Sequence, residues 1–331
     1  WRFPGLASKD FEVLQVVSQV LYNGKAGLID LDLNQQQKVL NSYGYPMGLA
    51  DYSAFILGGL PKQGQMLEEV KDLLLNEIKK LRAGEFDEKM LQANINNFKL
   101  YELQSMESNE GRADIFVNSF INGTNWEDEV TAIDRMAKLT KEDIVAFADK
   151  YLKEDNYAVV YKKQGKDPNE KKMTKPEITP IVSNRDVASP FLTSIQENAV
   201  KPIEPVFLDF KKDMSQLTAK SDIPVLYKQN TTNDLFQLIY VFDMGNNNDK
   251  ALGTAFDYLE YLGTSDMTPE ELKSEFYRLA CTFYVSPGNE RTYVVLSGLN
   301  ENMPAAMQLF EKLLADAQVN KEAYDNLVGD I

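Results

Sequence analysis

Leu57-Gly58-Gly59-Leu60 recurs 239 residues later as Leu296-Ser297-Gly298-Leu299. The surrounding chain repeats as well, at offsets of 239 or 240. Residues 21–24 (Leu-Tyr-Asn-Gly) correspond to 260–263 (Glu-Tyr-Leu-Gly), Gly5 and Asp10 correspond to Gly245 and Asp249, and Val70, Leu73 and Leu74 correspond to Phe310, Leu313 and Leu314. This agreement in order, spacing and type of element predicts an internal duplication.

Apolar spacing predicts alternating helices and strands in the first copy. Ser8 is expected to cap a helix whose residues Phe11, Leu14, Val17 and Leu21 share one face. The other predicted elements are a short helical stretch after Gly27, strands at 39–45 and 53–60, a helix over 66–81, helical structure over 87–152 with breaks near 109–111 and 122–125, and a strand at 157–161.

The second copy begins after a segment of different composition. Six of the 13 prolines fall between Pro168 and Pro205, and residues 162–222 carry about two more basic than acidic residues within a chain of net charge −15. Such a segment is typical of a stiff, solvated linker. Beyond it, Thr268-Pro269-Glu270-Glu271 predicts a helix that begins with a capping box.

These patterns predict an α+β protein of two related α/β units, each a mostly antiparallel sheet packed against helices. We expect one domain over 1–162, a linker over 163–222 and another domain over 223–331. An acidic chain repels nucleic-acid phosphates and anionic lipids, so neither partner is expected. No apolar run approaches the ~20 residues that span a bilayer. Trp1, in place of an initiator methionine, suggests the interior of a longer polypeptide.

The chain contains no histidine, and this limits the chemistry that its residues can perform. A histidine-based serine or cysteine triad and a histidine zinc site are excluded within these residues. Cys281, the single cysteine, is expected to be a small buried residue without activation. The acidic pairs Glu68-Glu69, Glu107 with Glu110, and Glu270-Glu271 lack the loop pattern of a calcium site and are interpreted as solvated helix faces.

The order of motifs resembles the insulinase or pitrilysin family of inverted-motif zinc peptidases. Arg2-Phe3-Pro4-Gly5, Asp10 and the helix that closes on Gly24 resemble the start of that family's second domain. Residues 236–242, Gly245, Asp249 and 259–264 resemble the start of its third domain. The resemblance implies units of the processing-peptidase-like metallohydrolase type, and a fragment that holds the second domain, the linker between the halves and most of the third domain.

In the family, the third domain is related to the first, whose helix carries His-x-x-Glu-His before a Gly-Thr pair. Alignment on Gly263-Thr264 puts Thr254 and Tyr258 at the zinc histidines and Asp257 at the glutamate. A shift of two residues would use Phe256, Leu259 and Glu260 instead, which also gives no zinc pair. The resemblance therefore implies no catalytic, cofactor or metal residue in this chain, and zinc in a first domain that precedes Trp1.

The implied function is that of a non-catalytic middle segment of a zinc endopeptidase, which degrades unfolded peptides in an enclosed chamber. The segment would supply chamber wall and hinge, and its partners would be peptide substrates and the first and fourth domains of the same chain. Two alternatives remain open: a non-catalytic peptide-binding or assembly subunit of the same fold, and an unrelated enzyme that uses only carboxylates. The periplasm or cell envelope is the expected location, with the cytoplasm as the alternative.

Overall fold

The computed structural model describes residues 1–166, 171 and 173–330. They form two compact units. One unit contains residues 1–160 together with the chain from Asn230 onward, and the other contains residues 161–229. The predicted bounds of the two domains and the linker stay predictions.

In the first unit, residues 1–160 fold as a three-stranded antiparallel sheet covered by helices. The strands pair in the order β1-β3-β2. The elements are β1 (Arg2–Pro4), α1 (Lys9–Leu21), a π-helix (Asp30–Gln35), β2 (Asn41–Met47), β3 (Tyr52–Leu60), α2 (Leu67–Arg82), α3 (Lys89–Ser105), α4 (Asn109–Asn122), α5 (Trp126–Val130), α6 (Ala132–Met136) and α7 (Lys141–Tyr151).

The chain from Asn230 onward belongs to the same unit and forms a second sheet, paired in the order β6-β8-β7. Its elements are β6 (Leu235–Phe242), α9 (Leu252–Leu259), α10 (Pro269–Arg278), β7 (Cys281–Pro287), β8 (Thr292–Leu299), a 3₁₀ turn (Asn300–Asn302), α11 (Met303–Asp316) and α12 (Lys321–Asp330). The other compact unit contains α8 (Pro190–Gln196), β4 (Ser215–Thr218), a 3₁₀ turn (Lys220–Asp222) and β5 (Pro224–Tyr227), and β4 pairs with β5. The predicted α+β class with antiparallel sheets is confirmed.

The two larger sheets share one pairing register. Phe3 pairs with Ser53 in the first sheet, and Phe242 pairs with Thr292 in the second. The other strand pair follows the same rule, because Ser42 opposite Gly59 corresponds to Cys281 opposite Gly298. Each residue of the second pairing has a number 239 higher than its counterpart.

Each sheet has its own hydrophobic core on its helix-covered face. In the first core, α1 contributes Leu14, Val17 and Leu21, which are fully buried as their spacing predicts. In the second core, Phe310 of α11 packs against Phe283 and Tyr240. At about 25 cal/mol per Å² of apolar surface, this burial is the main stabilising contribution to both layers.

Two predicted helix starts are confirmed. The Ser8 hydroxyl accepts a hydrogen bond from the Asp10 N–H and caps α1. At α10, the Glu271 N–H donates to the Thr268 hydroxyl at 3.2 Å, and the Thr268 N–H donates to the Glu271 carboxylate at 2.8 Å. This is the predicted capping box, which satisfies two helix donors that would otherwise lack partners.

Residues 157–161 do not form the predicted strand. They are without regular structure, and Val160 is 91% exposed, so the apolar alternation that suggested a strand does not face a core. The Tyr157 ring instead packs against the Trp1 ring at a tilt of 38°, with ring centroids 5.0 Å apart. Within residues 163–222, the predicted linker, lie α8, which Ser189 caps, and β4, which pairs with β5 just beyond this range. In the part of the chain that is described, no helix has the length and apolarity needed to cross a bilayer.

Candidate functional site

Helix α9 carries the residues that the family alignment places at the zinc motif. Thr254 and Tyr258 are four residues apart and therefore lie on one face of the helix. The Tyr258 hydroxyl donates to the Asn320 carbonyl at 2.6 Å and accepts from the Asn320 N–H at 2.8 Å. Its ring lies edge-on to Tyr324 at 5.5 Å. Tyr258 thus connects α9 to the start of α12.

Neither register of the alignment provides a donor set that fits zinc. Asp257 is exposed and is the one carboxylate of the first register. In the second register, Leu259 is buried in the core and the Glu260 carboxylate lies 3.7 Å from the Lys273 amine. Zinc sites in proteins use three or four nitrogen, sulfur or carboxylate ligands. The described residues contain no group of three or more acidic or cysteine side chains that could hold a metal ion.

A buried polar cluster joins the two halves of the first unit beside α10. The Tyr277 side chain is 1% exposed, and its hydroxyl donates to the Asn94 side-chain oxygen at 2.8 Å. The Asn97 side-chain amide donates to the Tyr277 carbonyl, also at 2.8 Å. The Asn94 amide nitrogen is buried without a hydrogen-bond partner. Because α3 supplies both asparagines, this helix positions α10 through polar contacts as well as apolar ones.

Asp30 lies close to this cluster, at the start of the π-helix, and organises the turn that follows α1. A single oxygen, Oδ2, accepts hydrogen bonds from the backbone N–H groups of Asn23 at 2.8 Å, Gly24 at 3.1 Å and Gly27 at 3.0 Å. Gly27 cannot carry a side chain here, because a Cβ would lie 2.7 Å from the Leu21 carbonyl oxygen. The turn thus depends on one carboxylate oxygen.

The environment of Asp30 shifts the pKa of several groups. Burial raises the pKa of Asp30 to about 6, although its three N–H donors and the charge of Lys273 act in the opposite direction. Burial lowers the pKa of Lys25 to about 8, against the negative charge of Glu260. Burial likewise lowers the pKa of Lys273. Burial disfavours the charged form of each group, and perturbed groups of this kind are found at functional sites and in structural ion networks alike.

Asp30 should make stability depend on pH. Its folded-state pKa lies above the ordinary value of 3.8. Its contribution to the free energy of unfolding is therefore complete below about pH 3.8 and is lost as the pH rises through about 6. Asp30→Asn keeps an oxygen for the three donors without a charge. Relative to the natural chain, this variant should gain about 2 kcal/mol between pH 4 and pH 7 in urea unfolding.

Asp30→Ala is the matched control for this prediction. It leaves three backbone N–H groups without their acceptor, which we expect to cost about 2–4 kcal/mol relative to Asp30→Asn at every pH, because neither variant has the titrating carboxyl. Equal stability of the alanine and asparagine variants at pH 7 would contradict the assigned role of Oδ2.

Cys281 is buried, and the acidic pairs are exposed or make contacts between the two halves of the first unit. Burial raises the pKa of the Cys281 thiol to about 11, so the thiolate is scarce near neutral pH. Glu68 and Glu69 are exposed in the first turn of α2. The other pairs make contacts between the two halves: Asn233 donates to Glu107, and Gln36 donates to Glu270. The sequence analysis missed Tyr277, Asn94 and Asp30. The one available signal was that each is a polar residue within a largely apolar stretch.

The outer faces of the two sheets are apolar and accessible. In the second sheet, successive side chains along β6, β7 and β8 point alternately toward the core and away from it. The face away from the core carries four apolar residues that are 40–55% exposed, namely Ile239, Val241, Tyr284 and Tyr293. In the first sheet, Tyr45, Met47, Tyr52 and Leu60 are 41–55% exposed. An antiparallel sheet with one face on a core usually has a polar opposite face, so these two faces depart from the ordinary pattern.

Comparisons with known proteins give similarities to solved structures. No protein-family model and no curated protein matches this sequence. A protease from Helicobacter pylori is 22% identical, with a TM-score of 0.42, over 46% of this chain and 37% of that chain. The periplasmic protease PqqL from Escherichia coli is 13% identical, with a TM-score of 0.33, over 99% and 39%. Pitrilysin is 10% identical, with a TM-score of 0.46, over 98% and 37%.

The chain thus spans between 37% and 39% of the length of each of these three proteins. Pitrilysin bears the name of the family that the sequence resembles. At these identities and TM-scores, the similarities assign no activity to this chain.

Proposed function

We propose that this chain is a non-catalytic middle segment of a zinc endopeptidase that degrades unfolded peptides, and that it supplies wall and hinge to the chamber. The observation that carries the proposal is the repetition of one sheet at a constant offset of 239 residues, in strand order and in register. A shift of register by one residue would move every side chain of a strand to the other face of the sheet. A shared register over two strand pairs therefore favours a common origin of residues 1–160 and the chain from Asn230 onward.

The zinc of the parent protein would be held by a first domain, and not by this chain. In the alignment on Gly263-Thr264, helix α9 takes the place of the zinc-binding helix, and Thr254, Asp257 and Tyr258 do not provide its ligands. Tyr258 is hydrogen-bonded to Asn320, which suits a structural helix. The bound metal would activate water for attack on a peptide carbonyl. The residues of this chain would bind and enclose the peptide.

The outer sheet faces are the surfaces that would contact an unfolded peptide. Such a peptide exposes apolar side chains, and the exposed side chains of Ile239, Val241 and Tyr284 offer apolar area on which they can be buried. The first and fourth domains of the parent are the further proposed partners. We propose the periplasm or cell envelope as the location, with the cytoplasm as the alternative, and fractionation of cells that produce the parent protein tests this.

We expect the 331-residue chain to bind no stoichiometric zinc and to cleave no unfolded peptide, because it has no histidine and its described residues contain no fitting set of ligands. The measurement is metal analysis after chelator treatment, exposure to zinc and gel filtration, together with a fluorogenic peptide assay. Circular dichroism verifies that the protein is folded. One tightly held zinc per chain would disprove the proposed division of roles.

Peptide binding by the sheet face is tested with Ile239→Asp, since a charge at this position opposes the burial of apolar side chains. The probe is fluorescent, reduced and carboxymethylated α-lactalbumin, and the readout is anisotropy. We expect at least a tenfold loss of affinity. Leu314→Asp is the matched control, because Leu314 is also 48% exposed but lies on α11. An equal loss in both variants would count against the sheet face.

A second candidate is a non-catalytic peptide-binding or assembly subunit of the same fold. The same exposed sheet faces favour this candidate, because binding a peptide on them requires no metal in any domain. Cleavage assays on the complete parent protein separate the two candidates. Zinc-dependent cleavage supports the peptidase, and peptide binding without cleavage supports the subunit.

A further inference from the structure

Helix α4 has its apolar side chains on the outside. Phe120 is 88% exposed, Ile121 is 67% exposed and Phe116 is 59% exposed. The one residue of α4 that is buried is the polar Ser119. This is the reverse of an ordinary surface helix, which buries an apolar stripe and exposes its polar residues.

Internal contacts do not explain why this sequence forms a stable helix. The Ser108 hydroxyl accepts from the Gly111 N–H at 2.9 Å, and Gly123 ends the helix in the left-handed conformation at φ 64°. Such caps contribute about 1 kcal/mol each. Isolated helices shorter than about 12–15 residues are marginal in water, and helices in proteins depend mainly on the packing of an apolar face. The 14 residues of α4 present that face to solvent.

The next helix extends the exposed apolar surface. Trp126 of α5 stacks on Phe116, with ring centroids 4.4 Å apart and an angle of 17° between the rings. We define the α4 face as Phe116, Val117, Phe120, Ile121 and Trp126. Its exposed side chains amount to an area on the order of 500 Å², because a large aromatic or aliphatic residue has roughly 150–250 Å² to bury. Apolar patches of this size on single chains mark interaction sites.

The charges around the α4 face are mostly negative. Residues 109–135 contain six acidic residues, namely Glu110, Asp114, Glu127, Asp128, Glu129 and Asp134, and two basic ones, Arg112 and Arg135. Arg135 pairs with Glu12 at 2.6 Å and Asp128 pairs with Lys9 at 2.6 Å, so one charge of each sign in this segment is already neutralised and the excess stays acidic. If two copies of the chain paired through this face, the acidic residues of one copy would repel those of the other. An anionic membrane would be repelled for the same reason.

We propose that the α4 face binds an amphipathic protein segment whose apolar residues are flanked by lysine or arginine. The apolar residues of the segment pack on Phe116, Phe120 and Ile121, and its cations lie beside Glu127 and Glu129. This is the usual arrangement for an amphipathic helix on a hydrophobic surface, with charges that set the choice of partner.

The test uses the full 331-residue chain and two fluorescein-labelled peptides of 14 residues. One has the sequence LKKLLKLLKKLLKL, and the other has glutamate at every lysine position. We expect the lysine peptide to bind at least tenfold more tightly than the glutamate peptide, with an affinity that falls as salt is added. Phe120→Ala with Ile121→Ala should weaken the lysine peptide at least tenfold, and alanine preserves the helix. Phe207→Ala, at a residue that is 83% exposed in the other compact unit, should leave binding unchanged.

Three results would overturn the proposal. The first is equal binding of both peptides, or binding that the double alanine variant leaves intact. The second is a dimer in sedimentation velocity that the same variant abolishes, because the occupant would then be a second copy. The third is binding to vesicles of phosphatidylglycerol through these residues. Glu127→Gln with Glu129→Gln separates charge from packing, and it should weaken the lysine peptide while circular dichroism stays the same.

Discussion

Tyr277→Ala is expected to lower the free energy of unfolding by about 3–5 kcal/mol, the range for loss of a large buried aromatic side chain. The side chain is 1% exposed and packs with Ala26 and Ala93 between the halves of the first compact unit. Its removal leaves a cavity and deprives the Asn94 oxygen of its donor. Because the loss falls between the two cores, we also expect the halves to unfold in separate steps.

The two tryptophans make this separation measurable. Trp1 and Trp126 both lie in residues 1–160, so fluorescence reports on that half, whereas circular dichroism reports on all helices. In urea, the two signals should coincide for the natural chain and diverge for Tyr277→Ala. Tyr277→Phe is the control, which keeps the ring and loses the hydroxyl, and it should cost about 1–2 kcal/mol. An alanine variant no less stable than the phenylalanine variant would contradict the assigned packing.

Gly298→Ala is expected to cost about 3 kcal/mol or more. Gly298 has φ 155°, a conformation that side chains rarely adopt, and a Cβ would lie 2.4 Å from the Ala280 carbonyl oxygen and 2.6 Å from the Cys281 sulfur. Neither neighbour can move easily, because one is backbone and the other is buried in the second core. The strand pair β7 and β8 would have to separate locally. Thermal unfolding measures the effect.

Gly253→Ala provides a control of opposite sign in the same half of the chain. Gly253 lies in α9, and a Cβ there meets nothing within 4 Å. Alanine should therefore stabilise the helix by up to about 1 kcal/mol. Similar losses for both substitutions would show that the second half is intolerant of change in general, and not that Gly298 is specially constrained.

Local patterns in the sequence predict the helix starts and the main strands well. The capping box at Thr268 and the buried stripe of α1 depend on residues within one or two turns of each other, so a single segment contains the whole signal. The predicted strand at 157–161 fails because a strand needs a partner, and the partner is not visible in the segment itself.

The polar cluster between the halves could not be predicted from the sequence for a related reason. Tyr277 and Asn94 are 183 positions apart, and the alternation of apolar residues gives no information on contacts across such a distance. The same holds for the α4 face, whose sequence has an ordinary mixture of apolar and polar residues. The orientation that exposes Phe120 and buries Ser119 is set by tertiary packing.

The common register of the two sheets shows which feature of the connections the two halves share. Between the strands, α1 has 13 residues and its counterpart α9 has eight, but both connections have the same total length, since every paired residue is offset by 239. Both hairpins likewise join their strands through four residues, 48–51 and 288–291. A one-residue insertion there would exchange the core face of a strand for its outer face. Tags and inserted domains therefore do not belong in either hairpin.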